Sequence, residues 1–357
     1  MKRVLFISIV IFGILAHYLA PFISPYLEES SYFWYSTSSR NLKPKKYKYI
    51  ILGDSQWISG IHLPTFSKTL NISVDSVLIY SKPSQQLEGI ELDLKYLQSK
   101  GISAEYYLIN LSSTSTTINK VFFTFKSLQL SFGIDSWMIL MTPKFWNVFY
   151  KDIGSYLYHV LSEIFLILKY NGNSTSFLKI LPSVDADFIS SQDLNNRIGP
   201  PLLELLDSAK NKNRIMESKI HKHGLWEWKN YSEADSNVNC DKEIDLPHLD
   251  PNLKLAFAKE RKEAQESLAR ITKQYNPKQD RFILVNIPFT KQMREIESVF
   301  PIVWNNLAKS NTSYRMLEIP ADKFDLRHYN DYTHFNKCGA ILFSEILANK
   351  LSKKINN

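Results

Sequence analysis

The sequence predicts an α/β fold built on a parallel sheet with crossover helices. Three observations predict it. Short apolar runs of strand length open the region from residue 47. A segment with helix-spaced apolar positions separates two of them. The same strand–helix rhythm then returns after residue 280.

The elements follow in chain order. Residues 47–52 form an apolar run that Gly53-Asp54-Ser55 stops, so they are expected as a buried strand. Residues 76–80 are a second short strand. Residues 84–100 carry Leu87, Ile90, Leu94 and Leu97 at helix spacing, and Gly101 ends that helix. Residues 104–111 are a third strand. Strands at 282–287 and 314–319 flank a helix at about 296–309. A last helix over about 337–354 is expected to bury Ile341, Leu342, Ile346 and Leu351.

The middle, at about 115–277, breaks the rhythm. It is aromatic-rich at Phe122, Phe123, Phe125, Trp137, Phe145, Trp146, Phe149 and Tyr150, and mostly helical in period. It is expected to be an insertion or lid. Within it, residues 221–249 are polar and irregular like a surface loop, and 252–275 form a charged amphipathic helix. The aromatic stripe is more often core than a glycan platform.

Composition narrows the class. The 357 residues are 44% hydrophobic and 22% charged, which fits a globular chain and excludes collagen-like or disordered proteins. Two cysteines, Cys240 and Cys338, exclude a disulfide-rich scaffold and a Cys-built zinc site. They leave one disulfide open, with packing of Cys338 as the alternative. The charge of +8 is spread out rather than clustered, so a nucleic-acid partner is not expected. His328 lacks companions at zinc-ligand spacing and is expected as a surface loop histidine. No metal or cofactor is implied. Lys82, Arg327 and Lys337 are expected as solvated side chains, with contact to an anionic substrate as the alternative.

The amino terminus bears on the compartment. Met1-Lys2-Arg3 precedes an apolar run from Val4 to Ala20, broken only by Ser8, Gly13 and His17. A basic pair before such a run is the pattern of a Sec-type signal. Tyr18-Leu19-Ala20 lacks the small-x-small cleavage pattern, so an uncleaved signal anchor is expected over 1–23, with a stalk at 24–46. Lys2 and Arg3 would stay cytoplasmic, and the domain at 47–357 would lie on the extracytoplasmic, periplasmic or outer, side. A buried core helix is the alternative.

Two segments carry chemistry. In the first, Ile50-Ile51-Leu52-Gly53-Asp54-Ser55-Gln56, a strand ends and a serine opens the next helix. Ser55 would sit at the carboxyl end of a parallel strand, where open α/β sheets place their sites, with its own N–H at a helix start. A plain helix cap by Asp54 or Ser55 is the alternative. In the second, Asn330-Asp331-Tyr332-Thr333-His334, a carboxylate precedes an imidazole by three. A turn-like loop would let Asp331 accept from one ring nitrogen and leave the other to take a serine proton. A loop histidine beside a capping aspartate is the alternative.

Gly-Asp-Ser after the first strand, with Asp-x-x-His before the last helix, resembles the SGNH/GDSL hydrolase superfamily. The likeness covers about 47–112 and 280–355, and DYTHFNKCGAILFS is similar to the family's closing block. The resemblance implies a flavodoxin-like three-layer α/β/α sandwich. It makes Ser55 the nucleophile, His334 the general base and Asp331 its partner. It also implies an oxyanion hole from the Ser55 N–H, the Ser84 N–H and the Asn110 side chain. Ser84 stands where the family has glycine, and Asn110 lacks the flanking glycine and aspartate.

These departures resemble divergent membrane-anchored bacterial members, including relatives of alginate O-acetyltransferases. The resemblance implies ester hydrolysis or acyl transfer on a cell-envelope glycan or lipid. The partners would be an acyl donor, an acceptor and a membrane-bound acyl-transfer protein. An inactive scaffold or glycan-binding protein is the rival expectation.

Overall fold

The computed structural model describes residues 44–82, 85–111, 240–246, 262–275, 281–297, 300–310 and 314–356, with isolated positions at 7, 8, 11, 14, 15, 42 and 249. Most of the expected anchor, nearly all of the stalk and most of the expected insertion lie outside these residues. The chain divides into two compact units, one of 1–41 and 129–217, the other of 42–128 and 218–357. The second carries the sheet.

Five strands form that sheet: β1 (Lys46–Gly53), β2 (Val77–Ser81), β3 (Ser103–Leu111), β4 (Phe282–Asn286) and β5 (Arg315–Glu318). Their order is β2-β1-β3-β4-β5, and every neighbouring pair is parallel. β1 lies inside the sheet, so both its faces are covered, and Tyr49 to Gly53 are buried without alternation. That is why its sequence reads as one apolar run.

The helices among the described residues are α1 (Ser55–Gly60), α2 (Leu63–Leu70), α3 (Leu87–Ser99), α4 (Lys262–Tyr275), α5 (Lys291–Ile296), α6 (Phe300–Ser310) and α7 (Lys337–Asn356). Two apolar cores sandwich the sheet. On one face Tyr49, Ile51, Ile283 and Val285 meet Trp57 of α1, Phe66 of α2, and Phe343 and Leu347 of α7. On the other, Ile50, Leu52, Ile109 and Leu284 meet Leu87, Ile90, Leu94 and Leu97 of α3, with Leu268, Ile271 and Trp304. The four α3 side chains are buried, each contributing about 2 kcal/mol over an exposed position. Lys100 caps α3, and Gly101 follows in the left-handed region at φ +69°.

The structure departs from these expectations in several elements. Neither α2 nor α5 is expected from the sequence; α2 has a proline in its first turn and closes on Asn71 in the left-handed conformation. α4 packs on α3 through the core of the second unit. The segment 240–246 is not merely a surface loop, since Ile244 packs on the sheet's first face. α7 buries Ala340, Phe343, Ser344, Leu347, Ala348 and Leu351, whereas Ile341, Leu342 and Ile346 are only half-buried. Small residues set that face. A Cβ on Gly339 would come within 2.1 Å of the His328 carbonyl oxygen, and Ser344 Oγ accepts from the His62 N–H at 2.8 Å. Apolar spacing alone overlooks such close approach. Among the described residues no helix is long and apolar enough to cross a membrane.

Candidate active site

The turn after β1 presents Ser55. Gly53 sits at φ +150°, and a Cβ there would fall 1.7 Å from Asn110 Oδ1. Only glycine fits this close approach. Asp54 is the N-cap of α1, its Oδ1 accepting from the Gln56 N–H at 2.9 Å. Asp54 thus takes the capping role, and Ser55 becomes the first helical residue. An N–H at that position has no acceptor within the helix.

His334 comes from a loop closed on itself. Tyr329 and Phe335 pair as an antiparallel bridge, their rings stacked 4.9 Å apart, and the Asn330 N–H donates to His334 O at 2.8 Å. The Tyr329 hydroxyl donates to Pro288 O, and the Thr290 N–H donates to Tyr332 O at 3.1 Å. Asn336 caps α7 by accepting from the Gly339 N–H at 3.0 Å. Inside the loop Asp331 Oδ1 accepts from the N–H groups of Thr333 and His334 at 2.8 and 2.9 Å. This side-chain-to-backbone turn is what brings the imidazole back onto the carboxylate three residues earlier.

The three side chains meet in line. His334 Nδ1 lies 2.8 Å from Asp331 Oδ2, and His334 Nε2 lies 2.7 Å from Ser55 Oγ. Burial alone would raise the Asp331 carboxyl. The bonds from the His334 ring and from the Thr333 and His334 N–H groups outweigh it and hold the group at about 2. An ionised carboxylate only accepts, so the proton sits on Nδ1 and Nε2 accepts from the serine hydroxyl. Asp331, His334 and Ser55 are each half-buried, so the line remains open to solvent.

Asn110 is engaged at the serine turn. Its Nδ2 donates to Asp54 Oδ1 at 2.8 Å and to Gln56 Oε1 at 3.3 Å, while its Oδ1 accepts from the Asp54 N–H at 3.2 Å. Both amide hydrogens are committed to the residues flanking Ser55, because Asp54 and Gln56 each turn an acceptor toward β3. Asn110 therefore braces the serine turn. Gln56, which sequence reasoning passed over, is part of this brace and reaches the Thr333 carbonyl at 3.5 Å. A polar side chain directly after the serine is the only sequence signal for it. Ser84 lies outside the described residues.

The remaining candidates separate. Lys82 is not solvated: it is 1% exposed and paired with Asp93. Arg327 pairs with Asp325 on the surface, and His328 Nδ1 accepts from the Asp325 N–H at 3.2 Å as part of a local cap. Lys337 is half-buried at the start of α7. Cys338 is joined to Cys240 by a disulfide with Cα atoms 5.8 Å apart. Among the described residues no group of three or more His, Cys, Asp and Glu could hold a metal. The aromatic stripe at 122–150 lies outside the described residues. A cavity of about 250 Å³ opens at the carboxyl ends of β4 and β5, lined by Asn286, Phe289, Arg294, Trp304 and Glu318.

No protein-family model matches this chain, and no curated protein matches it significantly.

Proposed function

We propose that this protein is an SGNH-type serine esterase or O-acyltransferase acting on acyl esters of a cell-envelope glycan or lipid. One observation carries the reading: the Ser55 hydroxyl, the His334 ring and the Asp331 carboxylate in a single hydrogen-bonded line. The β2-β1-β3-β4-β5 order, with helices on both faces, is that of flavodoxin-like sheets, and it supports the three-layer SGNH sandwich. Ser55 stands at the carboxyl end of β1, on the rim where such sheets bind ligands.

The chemistry follows from the geometry. Ser55 Oγ attacks the acyl carbonyl carbon as its proton passes to His334 Nε2. Asp331 stabilises the imidazolium through Nδ1. The carbonyl oxygen becomes an oxyanion and accepts from the Ser55 N–H; one such donor contributes about 3 kcal/mol in the transition state. Collapse breaks the ester C–O bond, and His334 returns the proton to the leaving alkoxide. Water or a glycan hydroxyl then attacks the acyl-serine, its proton taken by His334, and Ser55 is released.

An extracytoplasmic domain tethered by the amino-terminal segment suits this reading. The Cys240–Cys338 disulfide supports it, because such bonds persist in oxidising compartments. The second reading, an inactive SGNH-like scaffold or glycan-binding protein, is favoured by one observation: the Asn110 amide is already engaged at the serine turn. Turnover of p-nitrophenyl acetate separates the two. The enzyme reading expects hydrolysis that disappears in both Ser55→Ala and His334→Ala. Hydrolysis that survives both substitutions contradicts it.

A further inference from the structure

We propose that Lys82, Asp93 and Gln85 form a buried clasp that positions the Ser55 turn, a role that rests on the acyl-transfer reading above. Lys82 follows β2, and Gln85 lies just before α3. Both reach the same carboxylate, that of Asp93 on α3: Lys82 Nζ donates to Oδ1, and Gln85 Nε2 donates to Oδ2 at 2.6 Å. All three residues are buried, with Lys82 1% and Asp93 2% exposed. One side chain thus holds both ends of the β2–α3 connection at the sheet rim.

The clasp touches the nucleophile turn through the main chain. The Lys82 N–H donates to the Gly53 carbonyl at 2.9 Å, and Gly53 leads directly into Asp54 and Ser55. Asn110 Oδ1 and Trp57 occupy the space that a Cβ on Gly53 would take. Displacing Lys82 therefore displaces the turn. Lys82 Nζ also lies over the Tyr80 ring, 4.8 Å from its centroid.

An ionic pair is an expensive way to fill this space. Burial pulls the Lys82 amine below its ordinary value, while the Asp93 charge and hydrogen bond oppose the shift. Apolar residues of similar volume are often as stabilising as a buried pair, or more so. What the ionic trio supplies is directional bonding, because the two oxygens of one carboxylate each take a named donor. The clasp acts through Gly53 and Ser55, so Lys82 is a positioning residue.

The test uses the full chain, with a Lys82→Met/Asp93→Leu double variant beside the wild type. A fluorophosphonate gives the maximal labelling rate and half-saturating concentration, and thermal melting reports the fold. The 15N resonance of His334 Nε2 reports the Ser55 contact without any reaction. The double variant is expected to stay folded, melting somewhat below wild type because the buried Gln85 amide loses its Asp93 acceptor, and to label at least about tenfold more slowly, with the half-saturating concentration unchanged. Its Nε2 resonance is expected to move toward that of Ser55→Ala. A folded double variant with wild-type labelling and an unmoved resonance overturns the clasp. Gln85→Leu keeps the Lys82–Asp93 pair and serves if the double variant does not fold. It is expected to slow labelling about threefold and move the resonance the same way, and no change in either overturns the proposal. If the wild type is not labelled at all, the acyl-transfer reading fails, and the resonance alone then decides the clasp.

Discussion

The Ser55 hydroxyl lies 2.7 Å from His334 Nε2 although 279 positions separate the two residues. The contact exists because β1 ends in a glycine turn that lifts Ser55 onto the sheet rim. The loop before α7 is pinned to that rim by Thr290 and Pro288. Neither segment reaches the other without the sheet between them.

The Asp331–His334 bond makes stability depend on acid. The Asp331 carboxyl is held at about 2 against an ordinary 3.8, so its contribution is fully present above about pH 4. It is lost as the pH falls through 2, and amounts to about 2 kcal/mol. Denaturant unfolding of wild type and Asp331→Asn is expected to show that gap at pH 7 and its closure near pH 2. In turnover Asp331→Asn is expected to fall by about ten-thousand-fold, because the wrong imidazole tautomer would face the serine.

Asn110 offers a sharp distinction. As a brace, it leaves the Asp54 carboxylate and the Gln56 amide short of a buried partner when removed. Asn110→Ala is therefore expected to lose about 1–3 kcal/mol of stability and to lower kcat, with KM nearly unchanged. A side chain serving only as an oxyanion donor would lower kcat without touching the unfolding midpoint, and that result would contradict the brace.

Gly53→Ala tests the turn itself. The new methyl meets Asn110 Oδ1 and Trp57, at a φ that disfavours any L side chain. A loss on the order of 3 kcal/mol is expected in denaturant unfolding, together with loss of turnover. A variant within about 1 kcal/mol of wild type would mean the turn relaxes freely.

Much of this architecture was legible in the chain because the information is local. The interior strands are buried on both faces, so 47–52, 104–111 and 282–287 stand out as apolar runs. Ser55, Asp331 and His334 lie in short segments whose turn chemistry is set by neighbours. What escaped depends on distant partners. The engagement of Asn110 requires knowing that Asp54 and Gln56 both turn acceptors toward β3. The burial of Lys82 requires Asp93, eleven residues on along α3. The inner face of α7 is set by Gly339, Ala340 and Ser344, whose smallness hides them from a hydrophobic pattern. The pairing of Cys240 with Cys338 spans 98 residues with no local sign of it.

The most direct measurement is the covalent one. The full chain is incubated with a fluorophosphonate, digested and mapped by mass spectrometry. A single adduct is expected on the peptide containing Ser55, absent from Ser55→Ala and at least about a thousandfold slower to form in His334→Ala. An adduct on another residue, or equal labelling of Ser55→Ala, would contradict it.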